Sequence, residues 1–298
     1  MTYSIVHSTE YLYADYVSYC HNMAILKPRP YIGQKLLDFN LEIDPGASEI
    51  TERVDFLGNY ATWFSIQKLH KRLLVTSRCK IVRNYESICN TWLTDACREV
   101  TLQSALEMLN SHEAGLLDAK HFRLESPLIR KVTKEARQYA QVSFKPERSV
   151  FEAANELMQR IYSEFEYVPG FTNIATPLNE VLMAKKGVCQ DFAHVAIACI
   201  RSVGLPARYI SGYIETVPLA GTKKLIGADA SHAWFAIFIP GFDWVEFDPT
   251  NNLIPENQHV VVATGRDYYD VPPLKGVIFG SGNNSMKVAV NLNRVAEG

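Results

Sequence analysis

Residues 187–213 read GVCQDFAHVAIACIRSVGLPARYISGY, and this stretch decides the fold of the C-terminal half of the chain. Apolar residues dominate 192–200, a pattern that predicts a helix buried on nearly all sides. Gly204 is suited to the left-handed conformation that ends a helix, and Pro206 prevents the helix from continuing. These limits put Cys189 in the first turn of a buried helix, and the alternation that follows over 208–213 predicts a strand.

The first turn of a helix is a chemically special position for Cys189. Backbone N–H groups there lack partners within the helix, and the helix dipole has its positive end there. Both effects favour a thiolate over a thiol, and cysteines in such positions titrate with a pKa of ~3.5–7.5 instead of ~8.5. The same N–H groups can hold the oxyanion that forms when a carbonyl is attacked. Cys189 is therefore a candidate nucleophile.

A nucleophile needs a base, and the base needs a group that orients it. Residues 229–252 read DASHAWFAIFIPGFDWVEFDPTNN. This segment predicts a strand over 233–239, a turn at Pro240-Gly241 and a return strand over 242–247. Folding the hairpin about position 240 puts Asp248 opposite His232 or one position away, so that side chains on the same face can meet. Asp248 can then hold the imidazole of His232 while the other ring nitrogen faces Cys189.

The N-terminal part of the chain has the pattern of a β protein. Alternating residues over 37–43 lead into the turn Asp44-Pro45-Gly46, and a second alternating run covers 73–81. Short strands separated by Gly, Pro and Asn predict an antiparallel β-sandwich over residues 1–92.

Helical signals begin after residue 92. Ser126-Pro127 has the cap and first-turn proline of a helix start, and Ser149 with Glu152 forms a capping box. Thr176-Pro177 predicts a third, short helix. We therefore expect a helical connector over 93–148 and a catalytic core over 149–298.

Composition limits the classes of function. The chain has 298 residues, of which 47% are hydrophobic, enough for a sizeable core. Thirty Lys and Arg against 32 Asp and Glu leave a net charge of −2, so neither nucleic acid nor membrane is an expected partner. No apolar run approaches the ~18–20 residues that cross a bilayer, and the first fifteen residues lack a signal-peptide pattern. The expectation is a soluble cytoplasmic protein.

The six cysteines stand at irregular spacings. None forms the paired CxxC units of a structural zinc site, and the sequence predicts no metal and no cofactor. A cytosolic chain keeps its thiols reduced, so most of these cysteines are expected in the core. Cys199, deeper in the same helix as Cys189, belongs to that group.

Four motifs in order, GVCQDFAH, RYISGY, DASHAW and WVEFDPTNN, resemble the core of the transglutaminase-like superfamily. The branch that they resemble most is bacterial and pairs this core with an N-terminal β domain. The segments FEYVPGFTNIATPLNEVLMAKKGVC and GRDYYDVPPLKG fit the same pattern, so the likeness covers roughly residues 150–280. The opening YSIVHSTEYLY and the LKPRP segment are similar to the N-terminal region of that branch.

This resemblance implies an α+β fold and a thiol enzyme. The fold is an N-terminal antiparallel β-sandwich followed by a papain-like transglutaminase core, in which the nucleophile lies at a helix N-terminus packed on an antiparallel sheet. The nucleophile of the family falls on Cys189, its base on His232 and its orienting acid on Asp248. Animal transglutaminases stabilise the transition state with a tryptophan upstream of the cysteine, and this sequence has none between residues 92 and 234.

Three residues are candidates for substrate binding. Tyr167 and the side chain of Gln190 are alternatives for the second oxyanion donor. Tyr213, on the strand after the helix, is a candidate for the wall of the cleft, with packing as the alternative role.

The functional hypothesis is acyl transfer on the amide bond of a protein or peptide, through a thioester intermediate. Water as the second substrate makes a protease or amidase, whereas a primary amine makes a transglutaminase. Analogy to the bacterial branch favours hydrolysis. The alternative from another class is a non-enzymatic module that binds a peptide.

Overall fold

The computed structural model describes residues 1–111, 114–130, 133–215 and 230–295. Asp229 of the DASHAW motif lies outside the described residues. The strands are β1 (Thr2–Val17), β2 (Tyr19–Ala24), β3 (Gln34–Asp44), β4 (Glu49–Val54), β5 (Tyr60–Ile66), β6 (His70–Arg83), β7 (Glu166–Tyr167), β8 (Lys186–Gly187), β9 (Ala207–Ile214), β10 (Ala230–Ile239), β11 (Asp243–Phe247), β12 (His259–Gly265), β13 (Leu274–Phe279) and β14 (Asn284–Val295). The α-helices are α1 (Tyr85–Trp92), α2 (Asp95–Glu99), α3 (Leu102–Asn110), α4 (Leu117–Lys120), α5 (Lys134–Ser143), α6 (Val150–Glu164), α7 (Leu178–Ala184) and α8 (Cys189–Ser202). None of these helices is long and apolar enough to cross a membrane.

Two antiparallel four-stranded sheets form the predicted N-terminal sandwich. Their strand orders are β14-β1-β6-β3 and β13-β2-β5-β4. Buried side chains from both sheets, such as Val17 of β1, Phe64 of β5 and Leu73 of β6, pack in a common apolar cluster. The alternation seen in the sequence thus buries one face of each sheet.

The last two strands join the sandwich. Strand β14 pairs with β1 along its whole length, from Thr2 opposite Val295 to Tyr13 opposite Asn284, and β13 pairs with β2. The sequence grouped all of 149–298 with the catalytic core, whereas these C-terminal strands complete the N-terminal sheets. The physical reason is that a sheet edge left open by the first ninety residues offers unpaired N–H and C=O groups to any later strand.

The helical region differs from its prediction in two places. Its first helix, α1, covers Tyr85–Trp92 and thus lies within the range predicted as sandwich. Ser126 and Ile129 exchange two backbone hydrogen bonds of 3.0 Å and form a tight turn, not a helix start. The helix begins later, at Lys134, where the Thr133 hydroxyl accepts a hydrogen bond from the backbone N–H of Ala136. The second predicted start is confirmed, because Ser149 caps α6 through the N–H of Glu152.

The core sheet carries the buried helix. Its strand order is β11-β10-β9-β12, all antiparallel, and α8 packs on β10 and β9. Every residue of α8 from Asp191 to Arg201 is buried. The structure therefore confirms the α+β class: a sandwich precedes a core in which the helix that begins at Cys189 lies on an antiparallel sheet.

Gly212 allows the central strands of this sheet to approach each other. It pairs with His232 on β10 and with Val261 on β12. A Cβ at this position would lie 2.1 Å from the carbonyl oxygen of Val260 and 2.6 Å from the ring of Trp234. Because that backbone oxygen cannot move without breaking the ladder, an added methyl group strains the sheet under the site.

We expect Gly212→Ala to lower the free energy of unfolding by about 3 kcal/mol, a large overpacking effect. Urea denaturation of both proteins measures it. Gly46→Ala is the matched control, since a Cβ there meets no atom within 4 Å and should change stability by less than about 0.5 kcal/mol. Equal stability of the two variants would contradict the steric argument.

Candidate active site

Cys189 is the first residue of α8, as predicted. The carboxylate of Asp191 supports this start by accepting hydrogen bonds from the backbone N–H of Val188 at 2.8 Å and from the Thr172 hydroxyl at 2.6 Å. Asp191 thus satisfies one orphan N–H and complements the helix dipole. Among the five cysteines whose burial is described, four are buried and Cys189 is partly exposed.

His232 and Asp248 form a buried hydrogen-bonded pair. Nε2 of His232 lies 2.7 Å from Oδ2 of Asp248, and both residues are buried. The hairpin ladder ends at the pair Phe235 and Phe247, so extending its register puts Trp234, not His232, opposite position 248. His232 therefore reaches Asp248 diagonally, from two positions along the strand. The sequence predicted an offset of zero or one position, so the observed offset is one residue larger than the largest expected.

Asp248 accepts hydrogen bonds from more groups than the sequence indicated. Besides His232, Oδ2 lies 3.0 Å from Nε2 of His259 and 2.7 Å from Nδ2 of Asn251. Oδ1 accepts from the backbone N–H groups of Thr250 and Asn251. Asn251 is part of the WVEFDPTNN motif and could have been found through the turn that follows Asp248. His259 starts a strand eleven residues away and carries no local signal.

The charges at the pair perturb both groups. Burial by itself lowers the pKa of His232, but the Asp248 carboxylate and the Cys189 thiol outweigh it and raise the pKa to about 10. Burial opposes ionisation of Asp248, yet His232 and His259 hold the pKa of its carboxyl well below the ordinary value. Burial lowers the pKa of His259. At neutral pH the site thus holds an imidazolium at His232, a carboxylate at Asp248 and a neutral imidazole at His259.

His232, Asp248 and His259 also form a possible metal-ligand set, with ligand atoms within 4.8 Å of one another. Both histidine nitrogens, however, lie at hydrogen-bond distance from the same carboxylate oxygen, and the amide of Asn251 occupies a further position on it. All three candidate ligands are buried. The donor set fits a hydrogen-bonded cluster better than an ion site, and the absence of a metal stays a prediction.

A cavity of about 260 Å³ brings Cys189 and His232 together. Its walls come from the start of α8, from β9 and β10, from the segment 268–274 and from strands of the sandwich. The lining residues are His7, Thr9, Val188, Cys189, Gln190, Tyr209, Ser211, Ser231, His232, Ala233, Tyr268, Pro273, Leu274, Met286 and Val288. Because Nε2 of His232 faces Asp248, its Nδ1 is the nitrogen left for the Cys189 sulfur.

The three predicted substrate-binding residues occupy different places. Gln190 lines the cavity beside Cys189. Tyr167 is half exposed and lies outside the lining, although the Cys189 thiol is near enough to add to the effect of burial in raising the pKa of this phenol. Tyr213 is buried behind the wall, where its hydroxyl lies 3.0 Å from Nδ1 of His7. The roles of all three in substrate binding stay predictions.

His194 is a buried residue of α8 that makes a structural contact. Nε2 of His194 accepts a hydrogen bond from the backbone N–H of Tyr268 at 3.1 Å. The side chain of Tyr268 lines the cavity, so the buried face of α8 helps to hold this wall in position.

A helix that begins at a cysteine and lies on an antiparallel sheet, preceded by a β-sandwich, defines a protein of the transglutaminase-like class. The chain belongs to the transglutaminase-like superfamily: the family model of its core matches residues 137–249. The model of the bacterial transglutaminase-like N-terminal region matches residues 3–82.

The chain is also similar to bacterial proteins over nearly its whole length. The uncharacterized protein Rv2569c of Mycobacterium tuberculosis is 37% identical over 295 residues, which cover 95% of this chain and 90% of that protein. ML0607 of Mycobacterium leprae is 31% identical over 98% of both chains. A candidate cysteine protease from Cytophaga hutchinsonii has the same fold, with a TM-score of 0.76 and 22% identity over 100% of this chain and 92% of its own.

Proposed function

We propose that the protein is a thiol-dependent enzyme that transfers acyl groups from amide bonds of proteins or peptides. The observation that carries the proposal is the placement of His232, which is hydrogen-bonded to buried Asp248 on one side and faces Cys189 across a cavity on the other. A nucleophile, a base and an orienting acid in contact are the parts that covalent acyl transfer requires.

In the first half of the reaction, Cys189 reacts as the thiolate, with its proton held by His232, and the sulfur forms a bond to the carbonyl carbon of the amide. The resulting oxyanion is stabilised by backbone N–H groups in the first turn of α8, with the Gln190 side chain as the second donor. The C–N bond then breaks, and His232 gives its proton to the departing amine. The product that stays on the enzyme is a thioester at Cys189.

In the second half, His232 takes a proton from the acceptor, whose oxygen or nitrogen attacks the thioester carbonyl. The C–S bond breaks and Cys189 is regenerated. Asp248 keeps the imidazole oriented and stabilises its positive charge in both halves. We propose water as the usual acceptor, so that the reaction is hydrolysis, and a primary amine as the alternative, which would make the protein a transglutaminase.

Alkylation by iodoacetamide at pH 6 tests the reactive thiol. We expect Cys189 to label at least about tenfold faster than the other cysteines, because protonated His232 places a positive charge beside its sulfur. Tryptic peptide masses after timed quenching measure the rates. The His232→Ala variant should lose the excess reactivity of Cys189, whereas Cys199→Ala should retain it. A rate at Cys189 that does not depend on His232 would favour a binding module without catalysis.

Incubation of the enzyme with a peptide mixture, with and without an added primary amine, separates the two acceptors. Hydrolysis gives carboxylate products in both samples, and transfer gives amine adducts only in the second. If a broad peptide library gives neither carboxylate products nor amine adducts, the proposed amide chemistry is contradicted.

A further inference from the structure

The sandwich contributes one wall of the cavity beside Cys189. Residues His7 and Thr9 of β1 and residues Met286 and Val288 of β14 line it. Strand β14 is the edge of its sheet, and it also contacts β10 of the core sheet. The catalytic core alone would therefore leave this side of the cavity open, and the sandwich gives the cavity its final shape.

The wall from the sandwich is anchored on its β1 side. Nε2 of His7 lies 3.1 Å from the hydroxyl of Thr9, and its Nδ1 lies 3.0 Å from the hydroxyl of Tyr213 on β9. His7, Thr9 and Tyr213 are all buried. These contacts connect the sandwich to the core sheet, and they hold the Thr9 side chain in a defined position.

The wall on the β14 side is apolar and about half exposed. Met286 and Val288 are 56% and 46% exposed, although they stand next to each other on one face of an edge strand, where charged residues are the common protection. Exposed apolar side chains that border a cavity are typical of a surface that a ligand covers.

No Asp, Glu, Lys or Arg is among the described residues that line the cavity. Burial lowers the pKa of His7 to about 4, so its ring is neutral at pH 7. Among the described lining residues, a fixed charge is thus found at His232 of the reacting pair. A charged group of the substrate that entered would lose water and, among the described lining residues, would meet no counter-ion outside the reacting pair.

The cavity is small. About 260 Å³ is below the ~300–1,000 Å³ of pockets that hold drug-sized molecules. One side chain of ordinary size fits beside the reacting carbonyl.

We propose that strands β1 and β14 form the pocket that selects the acyl donor, and that the pocket selects a single uncharged side chain packed against Met286 and Val288. This inference rests on the proposed function, since it names the group that the acyl-transfer site accepts. Met286 is then a specificity-determining residue supplied by the sandwich.

Four otherwise identical peptide amides, with Gln, Met, Glu or Lys as the acyl-donor residue, test the selection. Gln and Glu have nearly the same shape, so the comparison isolates charge when product masses count only cleavage of the amide bond that all four peptides share, and not reaction of the Gln side-chain amide. We expect kcat/KM for Gln and Met to exceed that for Glu and Lys by about 100-fold, in the range by which unmatched groups are rejected. The Kd values of the Cys189→Ala variant for the same peptides should show the same order.

Charge placed in the wall should redirect the preference. Met286→Lys is expected to raise the ratio of kcat/KM for Glu to that for Gln at least about tenfold. Met286→Glu is expected to raise the ratio of kcat/KM for Lys to that for Gln by a similar factor. Ala289→Lys is the matched control, because alternation along β14 turns position 289 to the other face of the sheet. It should leave both ratios unchanged.

Each outcome decides one of the two proposals. Turnover of all four amides at similar rates, or an equal shift in Ala289→Lys, overturns the pocket while the proposed function stands. Selective binding by Cys189→Ala without turnover by the native enzyme supports the pocket and contradicts the function. If Cys189→Ala binds all four peptides with similar Kd values, the pocket proposal is overturned, whether or not the native enzyme turns them over.

Discussion

Replacing Cys189 with serine is expected to lower kcat by a factor on the order of 10⁴ or more and to abolish the thioester intermediate. The substitution exchanges only the sulfur for oxygen, at a partly exposed residue, so stability should change by less than about 0.5 kcal/mol. A hydroxyl beside the same base is a far weaker nucleophile, because its proton is held much more tightly than that of a thiol.

Rapid-quench mass spectrometry of the acyl-enzyme and thermal unfolding together measure these effects. Cys199→Ala provides the control within the same helix. Cys199 is fully buried on α8, so this variant should be less stable by about 1 kcal/mol or more but should keep its acyl-enzyme. Acyl-enzyme formation by Cys189→Ser at the native rate would place the nucleophile elsewhere.

Replacing Asp248 with asparagine is expected to impair both stability and catalysis. The carboxylate is fully buried and accepts hydrogen bonds from His232, His259 and Asn251. An amide cannot compensate a buried imidazolium, and breaking such a pair typically costs 3–5 kcal/mol. We also expect kcat to fall by about 10³–10⁴-fold, because the imidazole loses its orientation and its tautomer.

The loss of stability should depend on pH in a defined direction. The pKa of Asp248 is lowered on folding, so its contribution is present above ~3.9 and disappears as the pH falls below that value. The pKa of His232 is raised to about 10, so its contribution is complete below ~6.5 and disappears as the pH rises towards 10.

The difference in unfolding free energy between native protein and Asp248→Asn should therefore be greatest between about pH 4 and 6.5. Urea denaturation at several pH values measures it. Asp243→Asn, an exposed carboxylate on the same hairpin, should differ from native by less than about 0.5 kcal/mol at every pH. A difference for Asp248→Asn that does not vary with pH would contradict the assigned charges.

Local signals predicted the elements of the site better than their relation to one another. The start of α8 at Cys189 follows from the apolar run, Gly204 and Pro206, all within one helix. The hairpin was also evident, but its register was missed because the strands turn about Gly241, with Ile239 paired to Asp243, and not about position 240. Ser126-Pro127 has a helix-start pattern, yet Asp267 binds the backbone N–H of Leu128 and stabilises a turn instead.

Contacts between distant parts of the chain lay beyond such signals. Nothing near His259 in the sequence indicates that its ring would donate to Asp248. Likewise, the sequence around Met286 indicates only a strand. Its place in the wall of the cavity depends on how the sandwich packs against the core.

The sequence by itself determined that a cysteine begins a buried helix, that a histidine and an aspartate flank a hairpin, and that a sandwich comes first. These features depend on periodicity, caps and turns, whose energetics act between residues close in the chain. Only the tertiary structure decided that β14 pairs with β1 nearly 300 residues away, that His259 completes the hydrogen bonds of Asp248, and that the sandwich closes the cavity at Cys189. Those outcomes depend on which surfaces meet when apolar area is buried, and side-chain packing across a long chain separation leaves no local pattern to read.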